Sequence, residues 1–600
     1  MTGRAVDVAV DVPRLELDRA FTYLLPDEVQ APSGTLVSVP FHGRTVKAWV
    51  LGPAAEVPSR VLPVRRVLSA VPVFREFDLP LYRWVSERYI SPLAAVIARA
   101  HPPRVASEER SVPGGGSEAP GPRVPSVLKG YGGGSGLLKA CREGSGAFVT
   151  RPLPDEEATA CLEAVAACVA GGRDAVVLVP EAEPLPATAR AVAEAFEDAA
   201  LVFVGGEDRE RYRAWLDMLA GRYRVVVGTR PGVFAPVARL GLVWVHREAH
   251  PGHREDRAPY YRVSEVALAR ARLEGAVCVL AGQSSSAAAV ALVDRGQATP
   301  VRPSRQRERQ AGPLVEVARP SEEDRSPRLS SFLRSTTSAF LLLSRRGYGV
   351  ARVCRTCGEP ARCAVCTGHL TVRGGRTACA VCGADGRCPA CGGTSFGVER
   401  GGTERTQEWA ARLTGRPVAR VDTASEAASP QGIVVGTAAA VKDFGPVRLD
   451  LVAILDADRA RRRAGLAAPE QVLATWFEAA SWAGPRSGRG RVLLHTREPG
   501  DPAVQALVRW DPWHFHRAER RRLEEAGFPP GFPVFRVLGG SLLSQALRAS
   551  GPESLLVSGV GDEAVCLVTV RPETLPRFRA RILELVREGT VTRVEAEPQL

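Results

Sequence analysis

The sequence predicts a multidomain α/β protein, and three observations carry this. The first fifty residues alternate apolar and polar at period two, two later blocks alternate helices with continuous apolar strands, and eight cysteines crowd into residues 354–391. Period-two alternation marks strands with one buried face, whereas unbroken apolar strands between helices mark a parallel sheet buried on both faces. Clustered CxxC pairs mark metal ligands. The expected architecture is a small N-terminal β-rich domain, two α/β lobes with a Cys-rich module inserted in the second, and a C-terminal α+β domain.

Val6-Asp7-Val8-Ala9-Val10, Thr35–Val39 and Thr45–Leu51 read as strands. Residues 78–100, with Leu79, Leu81, Trp84, Val85 and Ile90, read as a capping helix, so that 1–103 form the first domain. Residues 104–146 hold Gly114-Gly115-Gly116-Ser117 and Gly132-Gly133-Gly134-Ser135 among prolines, which is linker composition around one short helix. Over 147–298, Ala175–Val179, Ala200–Val204, Val225–Val227, Leu242–Val245 and Val277–Leu280 are strands between alanine-rich helices. Residues 299–353 begin with a polar, arginine-rich crossing loop (299–313) and open the second lobe at Phe340–Leu343. The cysteine module, 354–391, interrupts that lobe, which resumes over 392–504 with Gly432–Val435, Leu451–Leu455 and Arg491–Leu494. Residues 505–600 form the last domain.

Six hundred residues exceed what one hydrophobic core organises, and 45% hydrophobic with 24% charged residues excludes wholesale disorder. No run reaches the ~18 apolar residues of a membrane span. The N-terminus lacks a signal-peptide apolar stretch, so a cytoplasmic protein with no membrane partner is expected. A net charge of +13 favours a polyanionic partner.

Of the 13 cysteines, eight form Cys354-x-x-Cys357, Cys363-x-x-Cys366, Cys379-x-x-Cys382 and Cys388-x-x-Cys391, with Gly358, Gly383 and Gly392 following three of them. Eight thiolates suit two tetrahedral zinc sites of four cysteines each. Spacing leaves the pairing open between a nested set (outer with outer, inner with inner) and a sequential set. The module is poor in large apolar side chains, so zinc would supply its folding energy, ~10–16 kcal/mol per site. Four thiolates per ion leave no open coordination position, so both zincs are expected to be structural. The remaining cysteines, such as Cys161 and Cys278, sit in apolar runs and read as core.

Several stretches together resemble the bacterial primosomal replication-restart family PriA (primosomal protein N-prime) along nearly the whole chain. Phe21-Thr22-Tyr23-Leu24-Leu25-Pro26 with Val39-Pro40-Phe41 looks like its DNA-binding domain. Leu178-Val179-Pro180-Glu181, Val227-Gly228-Thr229-Arg230 and Phe234-Ala235-Pro236 look like the first RecA-like helicase lobe. Arg345-Arg346-Gly347-Tyr348 leads into the cysteines as in that family. Gly402-Thr403-Glu404, Val435-Gly436-Thr437 and Leu455-Asp456-Ala457-Asp458 look like the second lobe, and Phe528-Pro529-Pro530 like the C-terminal domain. The resemblance implies the nested pairing: Cys354, Cys357, Cys388 and Cys391 on one zinc, Cys363, Cys366, Cys379 and Cys382 on the other. It further implies a pocket for a free 3′ DNA end at Phe21, Tyr23 and Gly43, in which Thr22 stands where the family has an acid.

The motor motifs depart from the family. A P-loop needs Gly-Lys-Ser/Thr, and none of Lys47, Lys129, Lys139 and Lys442 follows a glycine. Counting back from Leu178, the P-loop falls on Arg151-Pro152-Leu153-Pro154-Asp155-Glu156-Glu157-Ala158, with Glu157 at the lysine and Ala158 at the hydroxyl position. The magnesium-binding Asp-Glu-Glu-His falls on His246-Arg247-Glu248-Ala249. The coupling Ser-Ala-Thr falls on Gly282-Gln283-Ser284, and the two finger arginines fall on Trp482 and Pro485. ATP is therefore not expected as a cofactor, and the winged-helix segment is reduced to the glycine-rich 104–146.

The expected function is replication restart without helicase activity. The chain would bind stalled or abandoned forks, D-loop-like structures and single-strand/duplex junctions. Its partners would be the replicative helicase or its loader and the single-stranded DNA-binding protein. The rival readings are an active ATP-dependent 3′–5′ helicase and a zinc-dependent interaction scaffold. The clusters Arg459-Arg461-Arg462-Arg463 and Arg517-Arg520-Arg521-Arg522, the latter with Trp513, Phe515 and His516, are further candidates for DNA contact.

Overall fold

The computed structural model describes residues 3–69, 71–110, 122–320, 326–344, 350–357, 359, 361–366, 368, 370–373, 376–379, 382–400, 402–423, 427–462, 465–558 and 564–598. Gly114–Ser117, Arg345–Tyr348, Gly358 and Arg463 lie outside them. The chain divides into two compact units: Met1–Ala311 with Ala464–Phe477 and Arg509–Leu600, and Gly312–Arg463 with Glu478–Val508.

The first unit opens with β1 (Gly3–Val10), β2 (Phe21–Pro26), β3 (Leu36–Phe41), β4 (Arg44–Pro53), β5 (Leu62–Pro63) and β6 (Arg66–Val67), in the sheet order β5-β2-β1-β4-β3-β6. The period-two pattern sorts the strand residues onto two faces, but both faces, and not one, meet a core. Val6, Val8 and Val10 meet Tyr23, Leu25, Val37, Val39 and Val50 in one core. Ala9, Leu36, Trp49 and Leu51 face the other way, into a core with the following helices. Those helices are Leu79–Arg88 and Leu93–Ala100, where a single helix was expected. The break falls where Ile90 takes a positive φ of 45° and Pro92, which cannot donate, precedes the second helix.

A seven-stranded parallel sheet follows: β7 (Gly146–Thr150), β8 (Asp174–Leu178), β9 (Ala200–Phe203), β10 (Val225–Gly228), β11 (Leu240–His246), β12 (Val277–Ala281) and β13 (Thr299–Val301), in the order β13-β7-β12-β11-β8-β10-β9. Two expectations are corrected here. Residues 299–313 are no crossing loop. β13 pairs with β7 at the sheet edge, and a helix, Arg305–Ala311, follows with Glu308 fully buried, so the first lobe runs on to Ala311. Nor are residues 122–146 linker. The helix Gly134–Glu143 packs Leu137, Leu138 and Cys141 against Ala160, Cys161, Ala164 and Cys168 of the helix Glu157–Ala170. The glycines there allow close approach rather than flexibility: a Cβ on Gly134 would lie 1.7 Å from the Leu128 carbonyl oxygen.

The second unit is a six-stranded parallel sheet interrupted by the cysteine module. β14 (Leu314–Ala318) and β15 (Ala339–Leu342) come first, and β20 (Val418–Val421), β21 (Ile433–Gly436), β22 (Leu451–Ile454) and β23 (Arg491–His495) complete it in the order β14-β23-β22-β15-β21-β20. Between β15 and β20 stand β16 (Val350–Cys354), β17 (Leu370–Arg373), β18 (Arg376–Cys379) and β19 (Phe396–Arg400). β16 pairs with β19 and β17 with β18, one pair nested inside the other in sequence.

The remainder of the first unit carries the antiparallel sheet β24 (Val534–Gly539), β25 (Ser554–Ser558), β26 (Ala564–Thr569) and β27 (Val591–Ala596), in the order β25-β26-β24-β27. The helix Leu575–Arg587 buries Phe578, Ile582 and Leu585 in a core with Phe535, Val537 and Val568 of this sheet. A second helix, Trp513–Glu525, precedes the sheet. The unit begins this stretch at Arg509 rather than at 505. No helix among the described residues is long and apolar enough to cross a membrane.

Candidate functional site

The nested strand pairs bring the cysteines into two groups, Cys354, Cys357, Cys388 and Cys391, and Cys363, Cys366, Cys379 and Cys382, each with all sulfurs within 4.8 Å of one another. β16 and β19 bring the two outer knuckles together, and β17 and β18 do the same for the inner ones. Sulfur pairs lie 3.5 Å apart for Cys354–Cys391 and Cys357–Cys388, 3.6 Å for Cys363–Cys382 and 3.4 Å for Cys366–Cys379. A tetrahedron with metal–sulfur bonds of ~2.3 Å has edges of about 3.8 Å, so both groups have the size of a metal cage. Gly383 and Gly392 turn the chain at φ 72° directly after Cys382 and Cys391. A Cβ on Gly393 would stand 3.3 Å from the sulfurs of both Cys354 and Cys391. The Cys357 backbone N–H holds the Cys354 thiol down to about 6 and the Cys366 N–H lowers Cys363, whereas neighbouring sulfurs hold Cys357 and Cys366 up at about 12 against their own backbone donors.

In the N-terminal domain Phe21 is half-buried, edge-on to Phe41 at 5.1 Å, with the Arg19 guanidinium over its ring at 4.8 Å. Tyr23 is buried and its hydroxyl donates to the Pro40 carbonyl at 2.8 Å. Thr22 points to the other face and donates to Asp7 at 2.8 Å. Gly43 is exposed; it and His42, at φ 76° and 47°, form the two-residue turn between β3 and β4, which demands positive φ at both positions. Phe21, Phe41 and His42 are thus gathered at one edge, whereas Tyr23 serves the core.

Around Arg151–Ala158, the segment on which the P-loop is expected to fall, other side chains of the protein pack closely. Arg151, 3% exposed, donates through Nε to the Gln283 carbonyl at 2.8 Å and pairs through Nη1 with Glu308 at 3.2 Å. Its guanidinium lies 5.4 Å from the Phe477 ring and 5.8 Å from the Trp510 ring. Glu308 also takes Arg302 and Arg305, each at 2.8 Å, and Arg305 reaches Asp511 at 3.0 Å. Pro152 and Pro154 have no N–H with which to cradle a phosphate, and the Leu153 N–H donates to the Tyr131 hydroxyl at 2.9 Å. Glu156 accepts from that hydroxyl and from Arg307. Glu157 and Ala158 open the helix Glu157–Ala170, half-buried.

At the end of β11, His246 and Arg247 are buried, Arg247 at φ 52°. Glu248 accepts from the Ser286 N–H at 2.5 Å and from its hydroxyl at 3.0 Å; Glu470 accepts from the Ala287 N–H at 2.9 Å. Burial pushes both carboxyls up to about 7, against the pull of those N–H donors. Ser284 bonds His516 at 2.8 Å, and burial, with Arg151 adding, lowers that imidazole to about 3, so it is neutral. Trp482, in the second unit, packs between Phe340 and Phe444 at 5.0 and 5.8 Å. The assembly of Arg151, Glu308, Trp510 and His516 was not visible in the sequence, because its members lie up to several hundred residues apart in no motif.

The basic clusters are largely neutralised. Arg461 bridges Asp458, Glu498 and Asp501; Arg462 pairs with Glu359 and Glu498; Arg459 faces Asp456. Arg517 and Arg520 share Asp294, and Arg522 holds Glu519.

A family model described as the 3′ DNA-binding domain matches residues 7–102. The class this defines is a DNA-binding protein with a β-rich reading head, two parallel α/β sheets and a module of two four-cysteine cages. The probable replication restart protein PriA of Mycobacterium tuberculosis (strain CDC 1551 / Oshkosh) is 32% identical over 614 residues, covering 95% of this chain and 93% of the relative. That of Mycobacterium leprae is 34% identical over 87% of this chain and 86% of the relative, and the replication restart protein PriA of Treponema pallidum 28% identical over 88% and 86%. The chain belongs to the PriA replication restart family. Among solved structures, S. cerevisiae Dbp5 bound to RNA and ADP BeF3 aligns with a TM-score of 0.37 at 10% identity, over 64% of this chain and 85% of that one.

Proposed function

We propose that this chain acts in replication restart as a fork-binding factor whose motor is abandoned, with zinc in both four-cysteine cages. The N-terminal domain, which matches a 3′ DNA-binding domain, would read the DNA end at the Phe21–Phe41–His42 edge. The α/β lobes would serve as a fixed platform on which the replicative helicase or its loader, and the single-stranded DNA-binding protein, assemble at forks, D-loop-like structures and single-strand/duplex junctions.

One observation carries the loss of the motor: the place of the first P-loop glycine is taken by the Arg151 guanidinium, itself paired to Glu308 inside the protein. Phosphate binding needs free backbone N–H groups and a lysine; the segment offers two prolines and three carboxylates, Asp155, Glu156 and Glu157, instead. Zinc suits four-thiolate cages of this size, and the closed ligand set supports a structural role. The reading is tested by measuring ATP hydrolysis and strand unwinding on forked DNA beside fork binding. Binding without hydrolysis supports it, and fork-stimulated ATP hydrolysis by the purified chain would return the active-helicase reading.

A further inference from the structure

Three positions that the motor would have used for nucleotide now hold later parts of the chain. Arg151, from the P-loop segment, puts its guanidinium beside the rings of Phe477 and Trp510, which themselves stand 4.6 Å apart and are fully buried. Ser284, from the coupling motif, bonds His516 on the helix Trp513–Glu525. Glu248, the surviving acid of the magnesium motif, grips Ser286, while Glu470 grips the next N–H, Ala287, so that two carboxylates from distant segments close the same helix start, Ala287–Asp294. We infer that the degenerate motor motifs have become an intramolecular docking surface, and that its occupants are the segments Ala464–Phe477 and 509–525 of this same chain.

The chain itself supplies most of the partners here, with Arg151 Nη2, Gln283 Oε1 and His516 Nδ1 left buried without a hydrogen bond. Arg151 brings one positive charge, Arg302 and Arg305 bring two more, and Glu308 and Asp511 balance two of the three within 3.2 Å. The aromatic pair excludes water from the guanidinium face and supplies cation–π attraction in a desolvated place. In a nucleotide-driven switch a bound phosphate joins such segments and releases them when it leaves. Here side chains of the chain itself make the junction, so docking of the two segments does not depend on nucleotide.

This inference rests on the proposed absence of nucleotide binding, and hydrogen exchange of the full chain separates the two. Arg151→Met should speed amide exchange over residues 470–477 and 513–523 by at least ~10-fold, a sub-global opening. Ser284→Ala, a small change in a buried bond, should speed exchange over 513–523 by roughly 3-fold. Magnesium-ATP added to the unsubstituted chain should alter exchange in neither segment. Unchanged exchange in both variants, with no response to ATP, overturns the docking and leaves the loss of the motor standing. A slowing by magnesium-ATP in the unsubstituted chain overturns both.

Discussion

Glu248 and Glu470 make stability depend on pH in a direction the structure fixes. Both carboxyls are buried at the start of the helix Ala287–Asp294, and burial raises each from 4.5 to about 7. For Glu470 the charges of Glu248 and Glu519 add to the rise, while the Ala287 N–H and Arg262 oppose it. A carboxyl whose folded pKa is raised stabilises as the neutral acid. Its contribution is fully present below pH 4.5, falls by about 1.4 kcal/mol per pH unit towards 7, and is lost above it, for a total of about 3 kcal/mol per group. From pH 5.5 to 7.5 the loss is about 2 kcal/mol per carboxyl, or roughly 30-fold in the local opening constant. Glu248→Gln and Glu470→Gln mimic the neutral acid and do not titrate. Hydrogen exchange over residues 287–294, corrected for intrinsic rates and compared with the double variant at each pH, isolates these groups from every other titration. The unsubstituted chain should match the double variant near pH 4 and fall at least ~30-fold below it by pH 7.5. Protection that stays level with the variant, or exceeds it at pH 7.5, would refute the reasoning.

The purified protein should carry two zinc ions, and Cys363→Ser should lose one and loosen the inner cage; elemental analysis returning a single zinc from the unsubstituted chain contradicts the two-cage reading. Magnesium-dependent ATP binding should be absent by calorimetry, and Glu157→Lys should not restore it, since Pro152, Pro154 and the Arg151 guanidinium still deny phosphate its N–H groups and its space. Gly134→Ala should lower stability by several kcal/mol, because the added carbon collides with the Leu128 carbonyl 1.7 Å away and that backbone cannot yield cheaply; an unchanged unfolding midpoint in urea would show that 128–143 rearranges freely.

Patterns with a period were legible in the sequence. The valines of β1 and β8 announced strands, and the CxxC spacing announced two cages. The cage pairing is encoded by no spacing and came from the family resemblance; in the structure β16–β19 nest around β17–β18 and group the same cysteines. At two places composition hides what geometry decides. Gly132-Gly133-Gly134 looks like a flexible linker, yet Gly133 supplies φ 82° and Gly134 a contact with Leu128 that no side chain permits. Thr299-Pro300-Val301 and the charged run after it look like a loop, yet the strand closes a sheet edge, where a proline is tolerated, and Glu308 is buried because three arginines surround it. The arginine clusters show the same limit: sequence shows the cations together, but not the Asp458, Asp501 and Asp294 carboxylates that fold against them.

Competition binding of the purified chain to a forked substrate with a free 3′ end and to linear duplex of equal length, at physiological salt, with and without magnesium-ATP, decides whether the chain recognises forks. Bulk charge binds every duplex alike, so the difference between substrates is the informative quantity. The fork should win by at least ~10-fold, about 1.4 kcal/mol, with ATP changing neither affinity. Phe21→Ala should narrow that margin while leaving duplex binding nearly unchanged, because a contact to the strand end reads structure and phosphate contacts do not. Equal affinity for fork and duplex, or a preference that appears only with ATP, would contradict the central claim that this chain recognises forks as a motorless member of its family.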